Sequence, residues 1–236
     1  MYIILILVGL LAGLLSGSVG FGGGIIILPV ITYFYGVDIA VPISTIAQLL
    51  SNLSRSVIGY KDIHWDKVGL FLLLAAPLTA LGAYGFAIVP IKTMTRVLCL
   101  FLIIFAIIKL TGKIKLPKTK ATALIGGGLT GLTNGLLGIS GPISSAVFMT
   151  FSLSPVAYIA SESTAATVMH VIKALMYGKL NLLDGNIFLN GLYIGIALMI
   201  GNFLAMRFIR NVNKKKYQRV VAGMLILVSL FLMFAV

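Results

Sequence analysis

The sequence predicts an all-α polytopic membrane protein built from two inverted-topology repeats, and three observations support this fold class. Of the 236 residues, 60% are apolar and only 10% are charged, which is more apolar sequence than a soluble domain of this size can bury. The hydrophobic segments approach or exceed the length of about 20 helical residues that crosses a bilayer. An offset of 118 residues aligns glycines and charges of the two halves, as expected for an internal duplication.

The duplication is most evident in two glycine-rich stretches. The offset aligns Gly13, Gly17, Gly20 and Gly23 with Gly131, Gly135, Gly138 and Gly141. It also aligns Arg55 with Lys173. We therefore predict a first repeat at 1–112, a basic linker at 113–120 and a second repeat at 121–236, all within one membrane domain.

Each repeat is predicted to contain a short helix pair broken at glycines, followed by three transmembrane helices. The apolar segments of the first repeat are 3–17, 25–35, 42–59, 68–89 and 93–108, and those of the second are 121–137, 142–153, 156–177, 186–206 and 220–236. Pro42 and Pro155 are each expected at the start of a long helix, where a missing N–H costs little, with Ser154 as a cap.

The basic residues predict the orientation of the two repeats. If each broken pair formed one span, the Lys and Arg residues between helices would divide eight against eight. If each pair turns back at its glycines, one side holds three, Lys92, Arg96 and Lys179, and the other holds thirteen. These thirteen are Lys61, Lys67, Lys109, Lys113, Lys115, Lys118, Lys120, Arg207, Arg210, Lys214, Lys215, Lys216 and Arg219.

The second arrangement obeys the positive-inside rule and the first does not. We therefore expect inverted repeats in the plasma membrane, with the basic loops in the cytoplasm and both termini outside. The net charge of +13 then reflects orientation and contact with anionic lipid of the bilayer, and no nucleic-acid partner is predicted.

Helix breaks at corresponding positions of two inverted halves are typical of a transporter's substrate site. The backbone N–H groups freed at such a break can bind an anion, and the helix that follows directs its positive dipole end at it. The alternative is that the glycines only allow close helix packing. The candidate residues are Gly20, Gly22, Gly23 and Gly24 in the first break, and Gly138, Ser140, Gly141 and Pro142 in the second.

The helix after each break carries polar residues within an apolar segment. In the first half, their spacing places Ser44, Gln48, Asn52 and Arg55 on one helix face. In the second half, Glu162, His170 and Lys173 occupy the equivalent helix, and Glu162 and Lys173 share a face. Charges within spans usually face a cavity or a partner.

Two questions about these charges stay open at this point. Arg55 and Lys173 suit an anionic substrate, but each is also expected within about one turn of a helix end, from which its side chain could snorkel to the interface. Glu162 could pair with a cation, carry a proton, or be protonated and only hydrogen-bonded.

Two motifs resemble signatures of the TauE/SafE family of sulfite exporters. The first is GSVGFGGGIIILP at 17–29, followed by VPIST at 41–45, and the second is GLLGISGP at 135–142 with ASES at 160–163. The similarity covers nearly the whole chain. It implies a permease for small, often sulfur-containing anions and adds Thr45 and Ser163 to the candidate site. The departures are Ser44–Thr45, where the family usually has Thr-Ser, and Glu162.

The expected function is transport, most simply export, of a small anion such as sulfite or a sulfonate by alternating access around a site between the two breaks. Proton-coupled uptake is the alternative. Two further hypotheses are an intramembrane serine protease using Ser140 and His170 and a membrane scaffold that does not transport. No cofactor or metal ion is predicted, and homo-oligomerisation is left open.

Overall fold

The computed structural model describes residues 2–19, 22–111 and 116–208, and this part of the chain is helical without a strand. Its α-helices are α1 (Tyr2–Val19), α2 (Gly23–Tyr35), α3 (Val37–Ile58), α4 (Trp65–Ile88), α5 (Ile91–Thr111), α6 (Lys120–Leu137), α7 (Gly141–Thr150), α8 (Pro155–Lys179) and α9 (Gly185–Phe208), with a short 3₁₀ helix at Tyr60–Asp62. The all-α prediction is confirmed for these residues. The predicted last span, 220–236, lies outside them.

Three of the described helices are long and apolar enough to cross a membrane. They are Val37–Ile58, Trp65–Ile88 and the Gly185–Ala205 part of α9. Together with the outward-facing leucines and isoleucines along the bundle, they are consistent with a multi-pass membrane protein.

The two short helix pairs fold back on themselves at the predicted breaks. A Cβ on Gly23, at the start of α2, would lie 3.2 Å from the Ser16 hydroxyl of α1. In the second pair, a Cβ on Gly126 in α6 would meet the Val147 side chain of α7. The reversals use left-handed backbone that only glycine adopts readily, with φ of 110° at Gly22 and 75° at Gly138.

Each broken pair packs against a helix of the other half. Helix α1 lies along α9, and α6 lies along α4. The backbones meet directly at aligned glycines, since a Cβ on Gly13 would overlap the carbonyl oxygen of Leu198 and one on Gly131 that of Ala75. Close backbone approach at small residues is how membrane helices associate.

Helices α3 and α8 pack against each other. The Ser56 and Thr164 hydroxyls are 2.6 Å apart, and a Cβ on Gly59 would lie 2.6 Å from the Cβ of Ala160. Because the residue numbers decrease along α3 as they increase along α8, the two helices run antiparallel at this contact. Polar residues of both helices lie beside the glycine breaks.

One expected helix start is wrong. Helix α3 begins at Val37, so Pro42 lies inside it rather than at its first position. Gly36, with φ of 80°, ends α2 and lets the chain restart at once as α3, and a proline in the second turn removes only one intrahelical hydrogen bond. The predictions for Pro155 and Ser154 are confirmed, because α8 starts at Pro155 and the Ser154 hydroxyl accepts from the N–H of Ala157 at 3.3 Å.

Candidate functional site

A cavity lies between the two helix breaks and the polar faces of α3 and α8. It encloses about 330 Å³ of empty space, which includes its open mouth. Its wall consists of Gly22, Gly24, Ile25, Gln48, Asn52, Arg55, Gly138, Ile139, Ser140, Gly141, Glu162 and His170. Both predicted breaks and both predicted polar helices therefore contribute to one site.

Two helix N-termini face this cavity. The first intrahelical hydrogen bond of α2 runs from Ile26 N to Gly22 O, and that of α7 runs from Ser144 N to Ser140 O. The N–H groups of the residues in between have no partner within their own helix. Since the N-terminal ends carry partial positive charge, two of them directed at one cavity make it attractive to an anion.

Three side-chain atoms of cavity-lining residues are buried without a hydrogen-bond partner among the described residues. They are Nε2 of Gln48, Oε2 of Glu162 and Nδ1 of His170. A buried polar atom that makes no hydrogen bond is costly. Three such atoms around one cavity indicate that a ligand or water completes their hydrogen bonding.

Glu162 is held in place from the second break. Its Oε1 accepts a hydrogen bond of 2.6 Å from the Ser144 hydroxyl in the first turn of α7, and its side chain is only 1% exposed. Arg55 of α3 interacts electrostatically with it and also lines the cavity. One cation and one carboxylate thus face the same small space.

Arg55 and Lys173 bind the C-terminal ends of the two broken helices. Arg55 Nη1 lies 3.4 Å from the carbonyl oxygen of Ser16 in α1, and Lys173 Nζ lies 3.2 Å from that of Asn134 in α6. Both donors are 39 residues after their acceptors, so the two contacts are equivalent under the repeat. Cations at these positions bind carbonyl oxygens in the last turn of each helix and complement its negative dipole end.

The snorkelling alternative is therefore wrong for both cations. Arg55 is 3% and Lys173 is 0% exposed, and α8 continues to Lys179, well past Lys173. Tyr177 helps to enclose the Lys173 ammonium, since its ring centroid is 5.8 Å away and its hydroxyl donates to Gly135 O at 3.0 Å.

The remaining predicted residues differ in their distance from the cavity. Gly20 lies outside the described residues. The others are buried within the adjacent helices or breaks but do not form the cavity wall, namely Gly23, Ser44, Thr45, Pro142, Ser163 and Lys173. The sequence interpretation did not include Ile25 and Ile139, which line the cavity. The only sequence feature that could have indicated them is their position beside a glycine break. Within the described residues, no group of three or more His, Cys, Asp or Glu could hold a metal ion.

Comparison with known proteins places the chain in one family. Searches of curated proteins and of solved structures found no match. The family described as sulfite exporter TauE/SafE matches residues 5–232, which is nearly the whole chain. It is a family of membrane transporters and not of enzymes, so the protease hypothesis for Ser140 and His170 fails. The chain belongs to the TauE/SafE family of sulfite exporters.

Proposed function

We propose that this protein exports a small sulfur-containing or organic anion, such as sulfite or a sulfonate, by alternating access around the cavity between the two breaks. The observation that carries this proposal is the convergence of two helix N-termini and Arg55 on one buried space. These groups supply positive charge and hydrogen-bond donors where the bilayer would otherwise exclude an anion.

The dimensions and the wall chemistry favour a small polar ligand. The glycines of the breaks bring backbone N–H groups to the wall without side chains in front of them, and only Ile25 and Ile139 are apolar. A cofactor-sized or lipid-like molecule would need a larger and more apolar pocket. A compact oxyanion matches the space and the donors.

We also propose that the two repeats are inverted, as the charge distribution predicts. The antiparallel crossing of α3 and α8 supports this, because these helices are equivalent under the offset of 118 residues. The end of the basic linker lies near the loop after α7, where Lys118 Nζ donates to the Ser152 hydroxyl at 2.7 Å. Lys67 is 5.8 Å from the ring centroid of Phe151 in the same loop, so both basic segments meet the same end of the second helix pair.

Flux in liposomes tests the transport proposal. Purified protein reconstituted into sulfite-loaded vesicles should release the anion faster than protein-free vesicles do. Sulfate, a sulfonate and a carboxylate offered in the same assay would then rank the substrates. Release no faster than from protein-free vesicles, for every anion, would contradict the proposal.

Cysteine labelling tests the inverted arrangement. Cysteines substituted for Lys115 and Lys216 should both be protected from an impermeant reagent in whole cells, because both loops are expected in the cytoplasm. A cysteine at Lys179 is the matched control and should be labelled. Labelling at Lys115 or Lys216, but not both, would show that the halves are not inverted.

The role of Glu162 bears on the direction of transport. A negatively polarised cell already drives an anion outward, by about 2.3 kcal/mol per charge per 100 mV, so export needs no coupling proton. Uptake would need one, and Glu162 is the cavity-lining carboxylate that could carry it. We favour export because the family is one of exporters.

An imposed proton gradient distinguishes the two directions. Under an acid-outside gradient, vesicles containing the native protein should not accumulate a sulfonate, an anion that carries no proton of its own. If they do, and if Glu162→Gln abolishes accumulation while exchange of labelled for unlabelled anion continues, the protein is a proton-coupled importer. Loss of expression or of all transport modes together in Glu162→Gln would instead mean that Glu162 only pairs with a cation or fixes a helix.

A further inference from the structure

The cavity wall contains a hydrogen-bond acceptor, the carboxylate of Glu162, although the other groups around it favour an anion. Oε1 of Glu162 is occupied by the Ser144 hydroxyl, whereas Oε2 has no hydrogen-bond partner among the described residues. The side chain is 1% exposed and belongs to the cavity wall. A ligand that fills the cavity is therefore brought against a carboxylate oxygen that lacks a donor.

The groups around Glu162 limit what can supply that donor. Helix α7 contributes Ser144, which donates to Oε1. Helix α3 contributes Arg55, which donates to Ser16 O and to Asn52 Oδ1. Helix α8 contributes Tyr158, which interacts electrostatically with Glu162, and His170 on the cavity wall. Ser144 is bound to Oε1, and no group of the described residues is bound to Oε2. The donor for Oε2 is therefore expected from the ligand side of the cavity.

An oxygen of an anion and a carboxylate oxygen cannot touch in a buried site without a proton between them. Two negative oxygens in contact repel each other, and each also lacks a hydrogen bond. A ligand that brings its own acidic hydrogen removes both costs. Sites built to hydrogen-bond a ligand hydroxyl reject analogues that lack it, because the buried partner is then left unpaired.

We propose that the cavity selects a hydrogen oxyanion, a monoanion of the hydrogensulfite type, whose hydroxyl donates to Oε2 of Glu162. The negative oxygens of the same ligand accept from the helix N-termini and from Gln48 Nε2, which is buried without a partner. This inference rests on the proposed function, since it specifies the protonation state of the anion that the cavity carries. The anion and one proton then leave the cell together as a single negative charge.

Binding measurements with a matched pair of anions test the proposal. The probes are sulfite and methanesulfinate, in which a methyl group replaces the hydroxyl of hydrogensulfite. Calorimetry on purified protein would give the dissociation constant of each anion from mildly acidic to mildly alkaline pH, for the wild type and for Glu162→Gln. Asp66→Asn is the control variant, because Asp66 is an exposed carboxylate that pairs with Lys67 at the start of α4.

The wild type should bind sulfite at least about tenfold more tightly than methanesulfinate near neutral pH, since methanesulfinate must leave Oε2 unpaired or draw a proton from water. Sulfite affinity should fall by up to about tenfold per pH unit above the pKa at which hydrogensulfite loses its proton to give sulfite, because one proton accompanies the bound anion. Glu162→Gln, whose amide can itself donate, should bind both anions about equally without this pH dependence. Asp66→Asn should match the wild type.

Two results would overturn the proposal, and only one of them would also overturn the proposed transport function. Equal, pH-independent binding of both anions by the wild type would refute the selection of a hydrogen oxyanion and leave anion transport standing. Absence of binding for both anions, together with absence of flux, would refute the proposed function and this inference with it. The wild-type measurements decide between these results even if Glu162→Gln fails to fold.

Discussion

In each half of the protein, a cation binds the C-terminal end of the helix before the glycine break. The two cations differ in whether they also line the cavity. Arg55 of α3 binds the end of α1, and Lys173 of α8 binds the end of α6, each from 39 residues further along the chain. Arg55 also lines the cavity, whereas Lys173 does not. Both repeats thus contain the contact between a cation and a helix end, but only the cation of the first repeat lines the cavity.

The chemistry of the two side chains accounts for this difference. The guanidinium of Arg55 has five N–H donors in a planar fork, so it can bind Ser16 O and Asn52 Oδ1 while it remains at the cavity wall. The ammonium of Lys173 is compact and lies 3.2 and 3.4 Å from two oxygens of Asn134. Tyr177 covers it further, which leaves Lys173 0% exposed.

The largest expected effect comes from filling the breaks. Gly24→Leu should abolish anion binding, because a Cβ there already lies 3.3 Å from Gln48 Cδ and the rest of the side chain would enter the cavity. Gly141→Leu should do the same from the second half. Gly178→Leu is the control, since a Cβ at Gly178 meets nothing within 4 Å. Calorimetric binding that persists in both break variants would restrict the glycines to a packing role.

Most residues of the cavity wall were among the candidates from the sequence, because polar residues in apolar helices are costly and therefore conspicuous. Gln48, Asn52 and Arg55 recur at helical spacing on one face, and Glu162 needed a partner or a cavity wherever it was buried. The glycine breaks were recognisable because glycines separate two apolar segments at corresponding positions of the two halves. A triple glycine alone does not mark a break, since Gly126, Gly127 and Gly128 lie within α6. These local signals were sufficient to bring both breaks and both polar helices to one predicted site.

The features that the sequence did not predict depend on tertiary packing, which local sequence patterns do not determine. Ile25 and Ile139 on the cavity wall have the same sequence character as core residues. Lys173 was predicted in the site because it aligns with Arg55, and its exclusion required Asn134 and Tyr177 to close around it. The start of α3 was misplaced because Gly36 allowed the helix to begin before Pro42.

A second prediction concerns packing contacts that the two halves share. Gly13→Ala and Gly131→Ala should each lower stability by about 1–3 kcal/mol, because the new methyl group overlaps a backbone carbonyl oxygen of the facing helix and forces the helices apart. Thermal unfolding in detergent would measure both. Gly69→Ala, where a Cβ meets nothing within 4 Å, should not destabilise. A large loss in one half alone would mean that the two contacts are not equivalent.

A smaller effect is expected where the halves differ in polar packing. Asn202 of α9 accepts from the Ser16 hydroxyl at 2.7 Å and donates to the Ser51 hydroxyl at 2.9 Å. The offset aligns Asn202 with Tyr84 of α4, which is 52% exposed. Asn202→Leu should cost about 0.6–1.7 kcal/mol, which spans the average and the largest value measured for hydrogen bonds between membrane helices, and Tyr84→Leu should cost almost nothing. Similar melting temperatures for the two variants would contradict this difference.

The affinity of the anion for variants of the two equivalent cations tests the central claim most directly. Arg55→Gln should weaken sulfite binding by about 10–100-fold, as expected for the loss of a charged hydrogen-bond donor at a binding site. Lys173→Gln should lower the melting temperature, since it leaves the end of α6 without its cation, while the folded protein keeps nearly the wild-type dissociation constant. Calorimetry on both purified variants gives the comparison. Equal losses of affinity, or a greater loss for Lys173→Gln, would contradict the account.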